Sequence, residues 1–311
     1  MEKTSPISET LAPSGTAPPP GATRLAGNRK VQAQSAFSRP RGFLGNRFVY
    51  AVISQRAHGL SIGVNFNPDK VCSFDCAYCE VNRRVPGQDT KVDLEVMAAE
   101  LEELLTLTYQ GRLRELPYFR TVPEELLALK EVALSGDGEP TLSPQFVEIV
   151  REVVHVRSCG KFPFFKLVLI TNTAGLDLPQ VRLGLQLLTS RDEIWAKLDA
   201  GTQEYMNRVN RTDLSLDKVL ANILLVGRQR PIVIQSLFPL LDGQEPPPEE
   251  IGQYVSHLLN LRTRGAQISL VQVYSAHRPS HHPNCGHLPL KSLSRIAQRV
   301  REVTGLRAEV F

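Results

Sequence analysis

After about residue 47, the chain alternates short runs rich in β-branched residues with longer amphipathic runs of helical period. Runs of the first kind predict strands, and runs of the second kind predict helices. Because the two kinds alternate, the pattern favours parallel strands joined by crossover helices. Six strands are predicted, at residues 60–66, 131–135, 166–170, 193–198, 231–238 and 267–274.

The amphipathic runs predict six helices, several of which have Pro at the start or Gly just past the end. Six β/α units are too few to close an eight-fold barrel. The predicted fold class is therefore α/β, a partial open (β/α)6 barrel of the TIM type, with its site at the carboxyl ends of the strands. The helices are expected near residues 93–107, 144–157, 179–188, 216–229, 248–264 and 290–303.

Residues 1–46 are rich in Pro, Ser, Ala, Thr and Gly and show no apolar period. A segment of this composition buries too little apolar surface to offset the entropy of ordering. We therefore expect a disordered basic leader over 1–46. The barrel, with a C-terminal helix and strand, is expected over 47–311.

The formal net charge of +4 is unevenly distributed, because residues 1–56 hold eight Lys or Arg and only two acidic residues. A solvated leader explains this better than an RNA-binding arm, so RNA is only weakly supported as a partner.

Three of the five cysteines lie within eight residues, which favours a metal site in a reducing compartment over disulfides. Lacking a long apolar stretch or a secretory signal, the chain is predicted to be cytoplasmic and not bound to a membrane.

The three clustered cysteines, Cys72, Cys76 and Cys79, form a Cys-x3-Cys-x2-Cys run directly after the first predicted strand. Thiolates favour iron–sulfur or zinc sites. A structural zinc ion would need a fourth ligand, for which only His58 and Cys285 are plausible donors, and neither belongs to a local zinc pattern. Three ligands for four irons leave one iron open, as in a catalytic centre.

This run resembles the signature of the radical S-adenosylmethionine (SAM) superfamily, to which the chain is similar from about residue 50 to 311. The resemblance implies a [4Fe-4S] cluster on the three cysteines, with the amino and carboxylate groups of SAM on the open iron. Reductive cleavage of SAM would then give a 5′-deoxyadenosyl radical. An electron donor such as flavodoxin or ferredoxin would supply the electron.

The resemblance also implies SAM-binding residues. Tyr78 takes the position of the aromatic residue beside the adenine, although packing within the loop is the alternative. Residues 135–140, Ser-Gly-Asp-Gly-Glu-Pro, resemble the Gly-Gly-Glu-Pro motif, in which Gly138 gives close approach and Glu139 accepts from the SAM ammonium. Asn172 matches a Thr-Asn turn that binds ribose or carboxylate, with a local Asx turn as the alternative.

Further candidates lie at later strand ends. Lys197 and Asp199 lie at the end of the fourth predicted strand as catalytic candidates, and Asp199 is also a candidate for binding the cofactor. Gln235 is either a ligand contact or a satisfied amide of the barrel core.

The 277–287 loop holds four of the seven histidines and Cys285, so a second metal site is an alternative to substrate contact. His277 and Arg278 are the candidates for reaching an anionic substrate.

Three segments, 53–63, 138–142 and 198–204, look like a subgroup of uncharacterised radical SAM proteins related to the wyosine-base-forming enzymes of tRNA. Those enzymes hold a second cluster on upstream cysteines, whereas residues 1–71 contain none. A single-cluster enzyme acting on RNA, a peptide or a metabolite is therefore expected. The alternatives are a glycyl-radical activase for a partner protein and a zinc-bound interaction module.

Overall fold

The computed structural model describes Ala36, residues 43–278, Ser280, His282 and residues 284–311. All of these belong to one compact unit, Gln34–Phe311, and residues 1–33 lie outside the described residues. Most of the predicted leader, 1–46, is likewise outside them. Of its described members, Ala36 and Phe43 are buried, and the backbone N–H of Ile53 donates to the Ala36 carbonyl at 2.6 Å.

Two sheets hold the described strands. The strands are β1 Val49–Ser54, β2 Gly59–Asn65, β3 Leu129–Ser135, β4 Leu167–Thr171, β5 Glu193–Lys197, β6 Ile232–Leu237, β7 Pro239–Leu241, β8 Ile268–Tyr274, β9 Cys285–His287 and β10 Ala308–Val310. The larger sheet has the order β1-β2-β3-β4-β5-β6-β8-β10, in which β1 is antiparallel to β2 and the other neighbours are parallel. Strands β7 and β9 form a separate antiparallel pair.

Helices connect the parallel strands, and side chains cap several of them. Asp93, Thr202 and Ser215 each accept a hydrogen bond from a backbone N–H in the first turn of the helix that follows. Gly305 ends the last helix in the left-handed region. The helices are α1 Leu94–Tyr109, α2 Phe146–Ser158, α3 Pro179–Leu185, α4 Gln203–Val209, α5 Leu216–Gly227, α6 Pro248–Thr263 and α7 Leu290–Thr304.

The predicted α/β fold class is confirmed, with all six predicted strands and all six predicted helices present within a few residues of their expected bounds. Three features were missed. The antiparallel strand β1 precedes the pattern, the seven-residue α4 is too short to show a helical period, and β7 with β9 pairs outside the main sheet. Within the described residues, no helix is long and apolar enough to cross a membrane.

The two faces of the main sheet differ in character. Leu169, Ile194 and Ile234 belong to the large core shared with the helices. Because side chains alternate along a strand, Trp195 and Val233 lie on the opposite face, where they form a second apolar cluster with Val168. We call the face that carries Trp195 and Val233 the inner face. Two residues further along these strands, towards their carboxyl ends, the inner face becomes polar, because Lys197, Gln235 and Gln272 lie side by side.

Candidate metal and cofactor site

The cysteine loop follows β2 and packs against the turn after β3. The backbone N–H of Glu139 donates to the Val71 carbonyl at 3.0 Å. A Cβ on Gly138 would lie 1.8 Å from that same carbonyl oxygen, so no larger residue fits without moving the loop. The sequence predicted that Gly138 allows close approach of a ligand, and in the structure it allows close approach of the cysteine loop.

Each of the three predicted ligand sulfurs accepts an N–H from a different part of the chain. The Asn172 amide lies 3.7 Å from Cys72 Sγ, and the Asn210 amide lies 3.5 Å from Cys76 Sγ. The Arg83 guanidinium donates to Cys79 Sγ at 3.0 Å. Hydrogen bonds of this kind stabilise thiolate sulfur and tune iron–sulfur centres.

Burial governs the acidity of two of these free thiols, Cys72 and Cys76. It raises the pKa of Cys72 to about 12, with the Glu139 carboxylate adding to the effect. Burial also raises the pKa of Cys76, which the Lys197 ammonium opposes. Since a metal binds the thiolate, loading of this site would release protons.

The donor set fits a cluster with three thiolate ligands. Thiolates are soft ligands suited to iron–sulfur centres, and each has an N–H donor. Among the described side chains, Arg83 Nε is also buried without an acceptor. Nowhere in the described part of the chain do three His, Cys, Asp or Glu side chains form a group that would hold a single metal ion.

Glu139 is a buried anchor between the turn after β3 and the end of β4. Its Oε1 accepts from the Thr141 backbone N–H at 3.1 Å and from the hydroxyls of Thr141 and Thr171. Its Oε2 accepts from the Asn172 backbone N–H at 2.6 Å. Burial raises the pKa of Glu139, which these hydrogen bonds oppose.

Asp199 brings together three of the residues predicted for the site. Its carboxylate accepts from the Tyr78 hydroxyl, and it lies 3.3 Å from Lys197 Nζ. Lys197 Nζ is also 4.6 Å from the centroid of the Tyr78 ring. Two further donors are the Asn210 amide at 2.8 Å and the Leu237 backbone N–H at 2.9 Å. Burial works against the charge on Lys197, yet Asp199 raises its pKa above the ordinary value.

The two remaining predicted amides are both hydrogen-bonded within the protein. Gln235 is buried and donates to Gln272 Oε1 at 3.1 Å. Asn172 donates to Ser73 Oγ at 3.1 Å, while its Oδ1 accepts from the Ala174 backbone N–H at 3.0 Å. The Asx turn that the sequence left open is thus present, and it orients the Asn172 amide towards the cysteine loop.

The loop after β8 lies against the cysteine loop. Arg278 pairs with Glu80 at 3.1 Å, one residue past Cys79. His282 Nε2 lies 3.5 Å from Asp75 Oδ2. The His277 ring is 4.4 Å from that of His287, and burial together with this neighbour lowers the pKa of His277. His281, a member of the alternative metal set, lies outside the described residues.

Sequence reasoning missed two residues that touch the sulfurs. Arg83 stands four residues after Cys79, so a basic residue close to the cysteine run was an available signal. Asn210 is 134 residues from Cys76 in sequence and has no local signal. Only the fold brings Asn210 to the site.

No family model matches the chain. A UPF0026 protein of Helicobacter pylori strain J99 is 28% identical over 181 residues, which are 57% of this chain and 50% of that protein. A UPF0026 protein of Synechocystis is 28% identical over 178 residues, covering 56% of this chain and 57% of that protein. The chain spans about half the length of these relatives, and the name UPF0026 states no activity.

Among solved structures, spore photoproduct lyase complexed with dinucleoside spore photoproduct has a TM-score of 0.52 at 11% identity, covering 84% of this chain and 78% of that one. A mutant of the same enzyme has a TM-score of 0.53. TYW1 with a lysine-pyruvate adduct has a TM-score of 0.49 at 15% identity, covering 79% of this chain and 74% of that one. The chain therefore shares the fold of spore photoproduct lyase, in agreement with the partial α/β barrel that the sequence predicted.

Proposed function

We propose that the chain is a radical SAM enzyme that uses one [4Fe-4S] cluster. The observation that carries this proposal is the set of three cysteine sulfurs on one loop, each with its own N–H donor, beside the turn that contains Glu139. When bound, the cluster supplies one electron to SAM and so starts radical chemistry. The loop lies beyond the carboxyl ends of the parallel strands, where this architecture places active sites.

The chain's own residues divide into two groups in this proposal. Cys72, Cys76 and Cys79 hold the cluster. The SAM-binding surface is formed by the aromatic ring, the Gly-Glu turn and the polar strand ends, namely Tyr78, Gly138, Glu139, Asn172, Asp199 and Gln235. Because Asp199, Glu139 and Gln235 are buried and hydrogen-bonded within the protein, and Gly138 lies against the Val71 carbonyl, we assign these four to holding this surface in shape.

Substrate contact is assigned to the inner face and the loop after β8. The Lys197 ammonium is partly exposed at the end of β5, and His277 with Arg278 follows the end of β8. Lys197 and Arg278 carry positive charge, which favours a substrate with an anionic group. His277, whose pKa is lowered by burial and by His287, is assigned to hydrogen bonding with that substrate. RNA, a peptide or a metabolite would satisfy this, and an acidic electron-transfer protein of the flavodoxin or ferredoxin type would supply the electron in the cytoplasm.

Anaerobic reconstitution followed by an assay for 5′-deoxyadenosine tests the proposal. The protein should bind about four irons and four sulfides per chain and release 5′-deoxyadenosine from SAM under reduction. Cys72→Ala, Cys76→Ala and Cys79→Ala should each abolish both results. Cys159→Ala is the matched control, because Cys159 is an exposed thiol after α2. Zinc in place of iron would identify the interaction module, and activity that requires a second protein would identify the activase.

A further inference from the structure

We infer that Arg83 is a positioning residue that raises the reduction potential of the cluster and ties the cysteine loop to the turn after β3. This inference rests on the proposed function, since it concerns the sulfur of a proposed ligand, Cys79. No step of the proposed function uses Arg83. It was also absent from the residues that the sequence singled out.

The Arg83 guanidinium bridges two parts of the site. Its Nη1 donates to Cys79 Sγ at 3.0 Å, and its Nη2 donates to the Asp137 carbonyl at 3.2 Å. Asp137 lies two residues before Glu139 in the turn after β3. A planar fork makes two such bonds in fixed geometry, whereas an ammonium group acts as a point charge. Arg83 therefore sets the distance between the cysteine loop and the turn.

The charge on Arg83 is permanent and partly shielded from water. The side chain is half-buried, and a guanidinium keeps its charge throughout the ordinary pH range. The amides of Asn172 and Asn210 and the backbone N–H of Phe74, which donate to the other two sulfurs, are neutral. Among these donors, Arg83 is thus the cation.

A cation at this position stabilises the reduced cluster more than the oxidised one. Reduction adds one electron from the donor protein and breaks no bond, so the cluster with its thiolates becomes more negative by one charge. The Coulomb attraction to Arg83 grows by the same charge, and low local dielectric strengthens it. Charge and hydrogen bonds at the sulfurs are recognised determinants of iron–sulfur potentials. Removal of the Arg83 charge should therefore make the cluster harder to reduce.

The backbone around Arg83 is held independently of its side chain. Lys70 Nζ donates to the Asn82 carbonyl at 3.1 Å and to the Val85 carbonyl at 2.7 Å. These bonds fix the segment on both sides of residue 83. Arg84 is exposed to solvent in the same segment, so the same substitution at Arg84 is a matched control for the loss of one positive charge.

The test has two measurements on reconstituted wild type, Arg83→Gln, Arg83→Lys and Arg84→Gln. One is a redox titration monitored by the EPR signal of the reduced cluster, and the other is the affinity for SAM. At a fixed solution potential, Arg83→Gln should lower the ratio of reduced to oxidised cluster about tenfold, equivalent to a shift of about 59 mV to more negative potential. Arg83→Lys should restore most of the potential but bind SAM more weakly, because it cannot bridge to the Asp137 carbonyl. Arg84→Gln should match wild type in midpoint potential and in affinity for SAM.

The outcomes separate this inference from the proposed function. If the reconstituted wild-type protein binds no iron, the proposed function and the inference about Arg83 are both contradicted. Wild type and Arg83→Gln with equal iron content and equal midpoint potential would overturn the role of Arg83 and leave the proposed function intact. If Arg83→Gln does not load iron, Arg83→Lys decides. A loaded lysine variant with a near-wild-type potential supports the charge argument, and one that fails to load, or is hard to reduce, contradicts it.

Discussion

At the scale of single residues, the Asp199 carboxylate is the junction of the polar network beside the cysteines. Its side chain is fully buried, and the side chain of Lys197 is 16% exposed. Tyr78 and Asn210 both donate to Asp199, so the carboxylate holds one residue of the cysteine loop and one residue after α4. Loss of either charge would leave the other without compensation in a poorly solvated place.

A double-mutant cycle of Lys197→Met and Asp199→Asn tests this coupling. Each single substitution should lower the free energy of unfolding by roughly 3–5 kcal/mol, because it leaves a buried charge unpaired. The double variant should lose less than the sum of the two, with a coupling of about 1–3 kcal/mol in anaerobic urea denaturation. The exposed pair Arg112–Glu115 is the control and should show no measurable coupling. Additive losses at Lys197 and Asp199 would mean that the two charges do not stabilise each other.

At the scale of elements, the contact between the cysteine loop and the turn after β3 depends on the missing side chain of Gly138. Gly138→Ala should displace the loop, since the new Cβ would lie 1.8 Å from the Val71 carbonyl oxygen. Iron content per chain should fall sharply after reconstitution. Gly252→Ala in α6 is the control, because a Cβ added there would have no atom within 4 Å. This control should gain about 0.5–1 kcal/mol of stability and load normally. Full iron content in Gly138→Ala would show that the loop tolerates the shift.

Strand β3 carries a buried carboxylate that makes stability depend on pH. Glu131 is 1% exposed, and its Oε1 accepts from Ser61 Oγ at 3.1 Å, while its Oε2 has no donor among the described residues. Burial raises the pKa of Glu131 from 4.5 to about 7, and Lys166 opposes the shift. The folded chain therefore holds this proton more tightly than the unfolded chain. Stability from this group is greatest below pH 4.5 and declines as the pH rises through 7.

Glu131→Gln should remove that decline. Relative to wild type, the variant should become more stable as the pH rises from 5 to 8, by on the order of 2–3 kcal/mol, in urea denaturation at each pH. The exposed Glu103 on α1 provides the control, and Glu103→Gln should follow the wild-type curve. A constant difference between Glu131→Gln and wild type across this range would contradict the raised pKa.

The sequence predicted those features that can be recognised within one short stretch of chain. The parallel strands and long helices show their own apolar pattern, and the three clustered cysteines are neighbours in the chain. The antiparallel β1 shows only half-buried alternation, and α4 has too few residues for a period. The partners of Cys76 and Asp199 were beyond reach, because the donor Asn210 meets them only after the sheet has formed. Local pattern thus predicts the proposed ligands, and tertiary packing determines which groups donate to them.

At the scale of the whole molecule, the N-terminal boundary of the packed unit is open to test by truncation. Deletion of residues 1–33 should leave stability and iron loading unchanged, because the packed unit begins at Gln34. Deletion of 1–46 also removes Ala36, whose carbonyl accepts from Ile53 in β1, and the buried ring of Phe43. This second deletion should cost at least about 3–5 kcal/mol in the free energy of unfolding, as expected for loss of one buried aromatic side chain. Equal stability of the two truncated proteins would place the boundary after residue 46.

In the proposed function, three cysteines hold a [4Fe-4S] cluster and leave one iron free for SAM. The most direct measurement is the EPR spectrum of the reduced, reconstituted protein before and after addition of SAM labelled with 15N on its amino group. We expect a cluster signal that changes on addition of SAM, together with a hyperfine coupling from the labelled nitrogen. A cluster signal that SAM leaves unchanged, with no coupling to the label, would contradict the proposed function.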